Sequence, residues 1–234
     1  RLVSIRTGEA VAEACNQLGY NTSIFVLDSD SIDFILNDLK AHDFVFIALH
    51  GSFGEDGVIQ SILSKNNIPF NGSGEKSSRN CFDKSVTKEI VMNQGVLSPK
   101  YYQTSSNTCN DHLDFKSEKY VVKPNSQGSS VGFNVIDNFE NLNDAIDIAL
   151  DFDNSVLIEE FIDGREITVP ILGNETLPVI EIEPKSGIYD YKSKYTAGES
   201  KYTCPADLTL EKYQFVQDCA LSVHKMLKCD VYSR

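Results

Sequence analysis

The stretch at residues 120–135, YVVKPNSQGSSVGFNV, places a lysine beside a loop of small polar residues. Three apolar residues lead to Lys123, a turn rich in serine and glycine follows, and a second strand is predicted from Gly132 onward. Backbone N–H groups of such a turn and a lysine ammonium can together close over anionic oxygens, which suits phosphates. The pattern fits an ordinary hairpin with a solvated loop equally well. The stretch alone therefore leaves both interpretations open.

A second candidate site follows the apolar run FVFIAL at residues 44–49. A run that is apolar throughout predicts a central parallel strand covered on both faces. His50 and the glycine-rich turn at residues 51–57 come directly after it. Because ligands of open α/β sheets bind at the carboxyl ends of strands, we expect a site near His50. A single histidine at a strand end can also be purely structural.

The first part of the chain alternates between helical and strand patterns. Helices are predicted at residues 7–19, from Ser31 onward and after Gly57, and strands at residues 23–27, 44–49 and 69–70. This alternation indicates a doubly wound α/β domain. The linker-like sequence at residues 71–74, NGSG, leads us to place this domain at residues 1–72.

The rest of the chain is mixed in pattern. Helices are predicted at residues 83–95, from Asp137 or Asn138 onward and across 210–227, and strands at residues 101–102, 120–122, 156–161, 167–172 and 177–182. Gly173-Asn174 is a hairpin signal, and residues 187–203 resemble a binding loop more than a regular element. We expect a central domain at residues 73–160 and a C-terminal domain at residues 161–234.

Composition narrows the classes of partner. The formal net charge of −13 over 234 residues argues against a surface for nucleic acid or an anionic membrane, but not against a small anionic ligand. The six cysteines lack zinc-ligand spacing, and no long apolar run or signal peptide is present. We therefore expect reduced thiols and a cytoplasmic protein. The absence of an initiator methionine and the strand that begins near residue 231 indicate a piece of a longer protein.

Six sequence blocks occur in an order that is more specific than any one of them. They are ALHGSFGEDGVIQ (48–60), PFNGSG (69–74), DKSVTK (83–88), VVKPNSQGSSVG (121–132), LIEEFIDGREITV (157–169) and YDYKSKY (189–195). Together they closely resemble the D-alanine–D-alanine ligase family of the ATP-grasp superfamily. The resemblance implies an α/β fold of ATP-grasp architecture, with a doubly wound N-terminal domain, a small central α+β lid domain and a mixed C-terminal domain.

The resemblance also implies a reaction. In this family ATP phosphorylates the carboxylate of one D-alanine, and the amine of a second D-alanine displaces phosphate to form D-alanyl-D-alanine for peptidoglycan. The implied partners are ATP with Mg²⁺ or Mn²⁺, D-alanine and a second copy of the chain. The alternatives are another ATP-grasp carboxylate–amine ligase and a nucleotide-binding fragment without turnover.

Family roles carry over to the nucleotide site residue by residue. Lys84 and Lys123 match the two lysines that contact the nucleotide phosphates. Glu166 matches the ligand of the ribose hydroxyls. The adenine is expected to lie against four consecutive residues, namely Glu159, Glu160, Phe161 and Ile162.

The implied catalytic residues lie mostly in loops. Ser129 matches the lid serine, Tyr195 the tyrosine that bonds towards it, and Lys194 the residue that reaches the transferring phosphate. Arg234 matches the arginine that stabilises the tetrahedral oxyanion, and His50 the histidine beside the first D-alanine. In this family a tyrosine at position 195 goes with an amine as second substrate.

No residue of this chain matches a metal ligand of the family. The resemblance places the metal-binding carboxylates after Arg234, and the acidic residue that holds the first D-alanine before Arg1. We therefore expect the 234-residue chain to be inactive on its own.

Overall fold

The computed structural model describes residues 2–27, 32–107 and 113–234, without the side chain of Tyr195. Helices and strands occur in the order α1 Leu2–Gln17, α2 Ile32–Lys40, α3 Val58–Lys65, α4 Glu75–Phe82, α5 Lys84–Met92, β1 Tyr101–Thr104, β2 Tyr120–Pro124, β3 Asn134–Ile136, α6 Leu142–Leu150, β4 Val156–Glu160, β5 Glu166–Thr168, β6 Ile171–Leu172, β7 Glu175–Thr176, β8 Ile180–Pro184, α7 Tyr191–Tyr195, β9 Ser200–Thr203, α8 Leu210–Met226 and β10 Tyr232–Ser233. The chain divides into two compact units, which meet in sequence between Arg79 and Asn80.

The first unit contains α1, α2, α3 and most of α4, and its apolar core is built mainly on α2 and α3. The core consists of buried side chains from α2, α3 and the residues after α3, namely Ile32, Leu39, Ile59, Leu63 and Ile68. The predicted helices are thus confirmed, although α1 begins five residues before residue 7 and none of its residues is fully buried. The predicted Ser31 cap lies outside the described residues.

The predicted strands of the first unit are not formed in the part that the structure describes. Residues 23–27 carry no strand, and residues 44–49 contribute only one parallel bridge, between Val45 and Phe70. Alternate side chains (Val45, Ile47, Leu49) pack against the core, whereas Phe44 and Phe46 are about half exposed, at 52% and 48%. The prediction of a strand covered on both faces is therefore wrong for this structure.

The second unit begins with a four-stranded antiparallel sheet in the order β1-β4-β2-β3. One face packs against α6 through fully buried residues such as Val122, Ile146 and Ile158. The sequence predicted Asp137 or Asn138 as the helix cap here, and the structure shows Asn138. Its side chain accepts a bond from the N–H of Glu140 and caps the short 3-10 turn that leads into α6. The other face carries the polar side chains of Lys123 and Glu159 beside the fully buried Leu157, and it is called the polar face below.

Two smaller antiparallel sheets follow, with orders β5-β8-β9 and β10-β6-β7. The predicted hairpin at Gly173-Asn174 is confirmed as the turn between β6 and β7, and α8 confirms the last predicted helix. Residues 187–203 are more regular than predicted, since they contain α7 and β9. Asp190 explains the helix because its side chain accepts a bond from the N–H of Ser193 and so caps α7.

Two further properties concern the described residues as a whole. None of their helices is both long enough and apolar enough to cross a membrane. Five cysteines, Cys15, Cys81, Cys204, Cys219 and Cys229, form no disulfide there, and the sulfurs of Cys81 and Cys229 lie 3.7 Å apart. Cys109 lies outside the described residues.

Candidate functional site

A cavity of about 600 Å³ lies within the second unit. Its wall includes the loop at residues 127–131, the segment 161–166 and the strand residues 181–184. Three lysines reach it from different elements, namely Lys84 from α5, Lys123 from β2 and Lys194 from α7. A concave site that collects several cations is suited to an anionic ligand.

Lys84 is positioned by the start of α5. Asp83 caps the helix, with its Oδ1 atom accepting a bond from the N–H of Val86 at 3.0 Å. The Lys84 ammonium then donates to three backbone carbonyls at the end of β2 and in the loop, those of Pro124 (3.1 Å), Asn125 (3.1 Å) and Gln127 (2.6 Å). Burial lowers the pKa of Lys84 to about 8, and the charge of Lys123 lowers it as well.

Lys123 lies on the polar face of the four-stranded sheet. The register pairs Val121 with Glu159 and Lys123 with Leu157, so Lys123 and Glu159 are diagonal neighbours on one face. Their side chains form an ion pair with 2.5 Å between Nζ and Oε2. Glu159 also lies 2.9 Å from the ammonium of Lys88, a residue of α5. Glu159 thus sits between two lysines.

The loop after β2 has an unusual backbone. Ser129 and Ser130 both have left-handed conformations, with φ of 55° and 57°, which cost non-glycine residues on the order of 1 kcal/mol each. The base of the loop is held by Asp153, which accepts a bond from the N–H of Ser126 at 2.5 Å. A loop held at its base, with backbone strain at its tip, fits the predicted phosphate lid better than a plain solvated turn.

The segment at residues 187–203 contacts this loop through Ser130. The Lys194 ammonium donates to Ser130 Oγ at 2.7 Å, and Ser130 Oγ in turn donates to the carbonyl of Tyr189 at 3.3 Å. Burial and the nearby charge of Arg234 lower the pKa of Lys194. The predicted contact between Ser129 and Tyr195 stays a prediction, because the Tyr195 side chain lies outside the described atoms.

Seven of the predicted site residues line the cavity. They are Lys84, Lys123, Ser129, Phe161, Ile162, Glu166 and Lys194. Burial raises the pKa of the Glu166 carboxyl, and Lys194 lowers it in part. The structure therefore brings together residues that are up to 110 positions apart in sequence.

Four other predicted residues, Glu159, Glu160, Arg234 and His50, are not among the described residues that line the cavity. Glu159 is behind Lys123, and the Glu160 carboxylate accepts a bond from the N–H of Lys100 at 2.8 Å. Arg234 is close enough to Lys194 and Tyr189 to influence their pKa values. His50 belongs to the first unit, where its Nε2 lies 3.1 Å from Thr7 Oγ1.

Sequence reasoning missed three features of this site. Lys88 is buried. It follows Lys84 by one helical turn and so lies on the same helix face, and this spacing was the available sign that it is near the site. Tyr189 lines the cavity and shares a 3.1 Å contact between hydroxyls with Tyr202, and burial raises its pKa to about 12. Arg165 forms a bidentate pair with Glu181 on the cavity wall, and no sequence pattern indicates this pair.

The described part of the chain offers no cluster of metal-ligating side chains. Across residues 2–27, 32–107 and 113–234, no group of three or more histidine, cysteine or acidic side chains could hold a metal ion. Glu159, the acidic side chain beside Lys123, is already in ion pairs with Lys88 and Lys123. The described residues therefore do not form a metal centre.

Two family models match the chain. The model for the C-terminus of D-ala D-ala ligase matches residues 90–234, and the model for the N-terminus matches residues 33–73. The D-alanine–D-alanine ligase of Methylacidiphilum infernorum is 40% identical over 234 residues, which is all of this chain and 75% of that protein. A ligase of Clostridium botulinum is 36% identical over all of this chain and 77% of its own length.

Solved structures agree with the sequence comparisons. A crystal structure of D-alanine–D-alanine ligase from Bacillus anthracis, complexed with ATP, matches with a TM-score of 0.83 and 30% identity over 99% of this chain and 75% of that one. The VanG D-Ala:D-Ser ligase of Enterococcus faecalis matches with a TM-score of 0.70 and 32% identity over 82% of this chain and 58% of that one. The expected ATP-grasp fold is thereby confirmed, and the chain belongs to the D-alanine–D-alanine ligase family, whose members are ADP-forming ligases.

Proposed function

We propose that the cavity of the second unit binds ATP and that the protein acts as a D-alanine–D-alanine ligase. The observation that carries this proposal is the convergence of Lys84, Lys123 and Lys194 on one cavity beside the strained serine loop. The match to an ATP-complexed relative with a TM-score of 0.83 supports it. The proposal includes the roles of the individual residues and the three-domain division at residues 72 and 160.

The walls of the cavity suit the two ends of a nucleotide. Phe161 and Ile162 offer apolar surface for a purine ring, and Glu166 offers a carboxylate to ribose hydroxyls. Glu159, proposed as the acceptor for the exocyclic amine, has its Oε1 atom 2.9 Å from the Lys88 ammonium and its Oε2 atom paired with Lys123. At the other end, Lys84, Lys123 and Lys194 would face the phosphates.

The chemistry then requires positioning and charge stabilisation. Phosphorylation of a D-alanine carboxylate spreads negative charge over the transferring oxygens, which the lysine ammoniums would stabilise. The contact between Lys194 and Ser130 joins the loop at residues 127–131 to residues 187–203 over the cavity. Such closure would exclude water from the acyl phosphate. Arg234 is proposed to stabilise the oxyanion formed in the later attack by the amine. His50, in the first unit, is proposed to lie beside the first D-alanine.

A second candidate differs only in the second substrate. The similarity to VanG, named a D-Ala:D-Ser ligase, favours testing D-serine as well as D-alanine. We propose D-alanine because a tyrosine occupies position 195. Mg²⁺ or Mn²⁺ as the partner of ATP, a cytoplasmic location and a homodimer are further parts of the proposal. An ATP-grasp ligase for other acids remains the wider alternative.

The binding part of the proposal is tested by isothermal titration calorimetry of ATP into this chain. We expect Lys123→Met to weaken ATP binding about 10- to 100-fold, because a charge-assisted contact is lost. Lys116→Met is the matched control, since Lys116 is an exposed lysine in the same unit. Equal ATP affinity in all three proteins would remove Lys123 from the site.

The substrate part is tested by turnover. Phosphate release from ATP is measured in a protein that also carries the flanking segments of its relatives, with D-alanine, D-alanine plus D-serine, or other acids. Release that needs D-alanine, with D-alanyl-D-alanine as the product found by mass spectrometry, is the expected result. An equal response to unrelated acids would contradict it.

A further inference from the structure

Lys88 is a buried lysine that does not reach the cavity. Its side chain is 9% exposed, and its ammonium donates to Ser98 Oγ at 2.7 Å and to the carbonyl of Pro99 at 3.0 Å. The ammonium also lies 5.1 Å from the centroid of the Tyr101 ring. A charged side chain is rarely buried this far unless it is paired. Its charged partner is Glu159, 2.9 Å away.

Lys88, Glu159 and Lys123 form a row from the interior to the cavity. The Glu159 carboxylate, 5% exposed, has one oxygen near Lys88 and the other 2.5 Å from Lys123. Lys123 is the member of the row that lines the cavity. Since Lys88 is held by three separate partners, it fixes the position of the carboxylate that in turn holds Lys123.

The row of Lys88, Glu159 and Lys123 carries a net positive charge only when Lys88 is present. Two ammoniums and one carboxylate give a net charge of +1, by counting one positive charge for each lysine and one negative charge for Glu159. Without Lys88, Glu159 and Lys123 would form an isolated pair of zero net charge. A neutral pair attracts phosphate much less than a pair with surplus positive charge, because screening is weak in a partly buried site.

We propose that Lys88 is a positioning residue that neutralises and fixes Glu159, so that the charge of Lys123 stays available to the nucleotide phosphates. The inference rests on the proposed ATP site. It differs from the proposed roles of Lys84 and Lys123 because Lys88 would touch no part of the ligand. The effect of Lys88 on phosphate binding would therefore depend on the negative charge of Glu159.

The test compares ATP with adenosine, which lacks the phosphates. The dissociation constant of ATP is measured by calorimetry, and that of adenosine by competition against ATP, in the native protein, in Lys88→Met and in the double variant Lys88→Met/Glu159→Gln. We expect the preference for ATP over adenosine to fall about tenfold in Lys88→Met. In the double variant the preference should return to the native value, because Lys123 again has no opposing charge.

The outcomes separate the possible explanations. A purely structural Lys88 would weaken both ligands alike and leave their ratio unchanged, which would overturn the inference. A preference that stays low in the double variant would overturn it too. If Lys88→Met does not fold, Glu159→Gln alone carries the test: it removes the charge that opposes Lys123, so the preference for ATP over adenosine should rise above the native value, and an unchanged preference would overturn the inference. Absence of ATP binding in the native protein would instead refute the proposed function.

Discussion

The three lysines around the cavity have different partners, and the partner determines what each ammonium can do. Lys84 is bonded to backbone carbonyls, Lys123 to a carboxylate and Lys194 to a serine hydroxyl. Burial lowers the pKa of Lys84 to about 8, close to physiological pH. We therefore predict that ATP affinity depends on pH through the titration of Lys84.

ATP affinity should fall as the pH rises through about 8. Lys84 is charged below its pKa and neutral above it, so the attraction to phosphate is full at low pH and lost at high pH. From pH 7 to pH 9 the charged fraction of such a group falls about tenfold, and we expect the dissociation constant of ATP to rise by up to about tenfold. Calorimetry at pH 7, 8 and 9 measures this.

Lys84→Met is the control for this pH dependence. The variant should bind ATP weakly at pH 7 and lose the change between pH 7 and pH 9, because the titrating group is gone. Lys123→Met should keep a pH dependence but move it to higher pH, since loss of the Lys123 charge raises the pKa of Lys84. A native protein with the same ATP affinity at all three values would contradict the assignment to Lys84.

At the scale of elements, the loop between β2 and β3 depends on Gly132, which lies two residues before β3. Gly132 has φ of +66°, and a Cβ atom there would lie 2.8 Å from Phe152 Cδ2 and from Pro124 Cγ. Gly173, in the turn between β6 and β7, has a similar φ of +59° with nothing within 4 Å of the same position. The two glycines share a backbone conformation and differ in crowding.

Gly132→Ala should therefore destabilise the protein more than Gly173→Ala. Both pay for the left-handed backbone, about 1 kcal/mol, and Gly132→Ala adds overpacking of about 1–3 kcal/mol. Urea unfolding followed by circular dichroism gives the two free energies of unfolding. Equal losses would show that the surroundings of Gly132 relax without cost.

The contact between Lys194 and Ser130 predicts coupling between two segments. Ser130→Ala removes the hydroxyl that accepts from Lys194 and donates to Tyr189, so amides at residues 187–203 should exchange hydrogen faster. Ser64→Ala, at an exposed serine of α3, is the control. Hydrogen exchange read by mass spectrometry measures the change, and identical exchange in both variants would disprove the coupling.

The elements show how far the sequence could predict this fold. Periodicity predicted α2, α3, α6 and α8, and a turn signal predicted the β6–β7 hairpin, because each is a local pattern. The strand pattern at residues 44–49 failed, since a strand needs pairing partners that local composition cannot supply. The helix within residues 187–203 was not predicted, because its five residues are aromatic and polar and show no apolar periodicity after the Asp190 cap.

At the scale of the whole molecule, all residues that line the cavity belong to the unit from residue 80 onward. The family blocks located most of them in the sequence, but the burial of Lys88 and the pairing of Arg165 with Glu181 depend on long-range packing. The net charge of −13 gave no sign of this local concentration of lysines. Local clusters, rather than the total charge, determine anion binding here.

Bound ATP should therefore slow hydrogen exchange only in the unit from residue 80 onward. Hydrogen exchange with saturating ATP should slow in peptides that cover residues 127–131, 159–166 and 187–195, and should stay unchanged in α2 and α3. The same experiment with adenosine should leave residues 127–131 less protected. Protection confined to the first unit would place the nucleotide elsewhere.

The most direct measurement is a crystal structure of this chain with a non-hydrolysable ATP analogue. The account predicts the base against Phe161 and Ile162, the ribose near Glu166, and the phosphates between Lys84 and Lys123 under the loop at residues 127–131. Nucleotide density outside this cavity, or a base and phosphates in reversed positions, would contradict the central claim that this cavity is an ATP site.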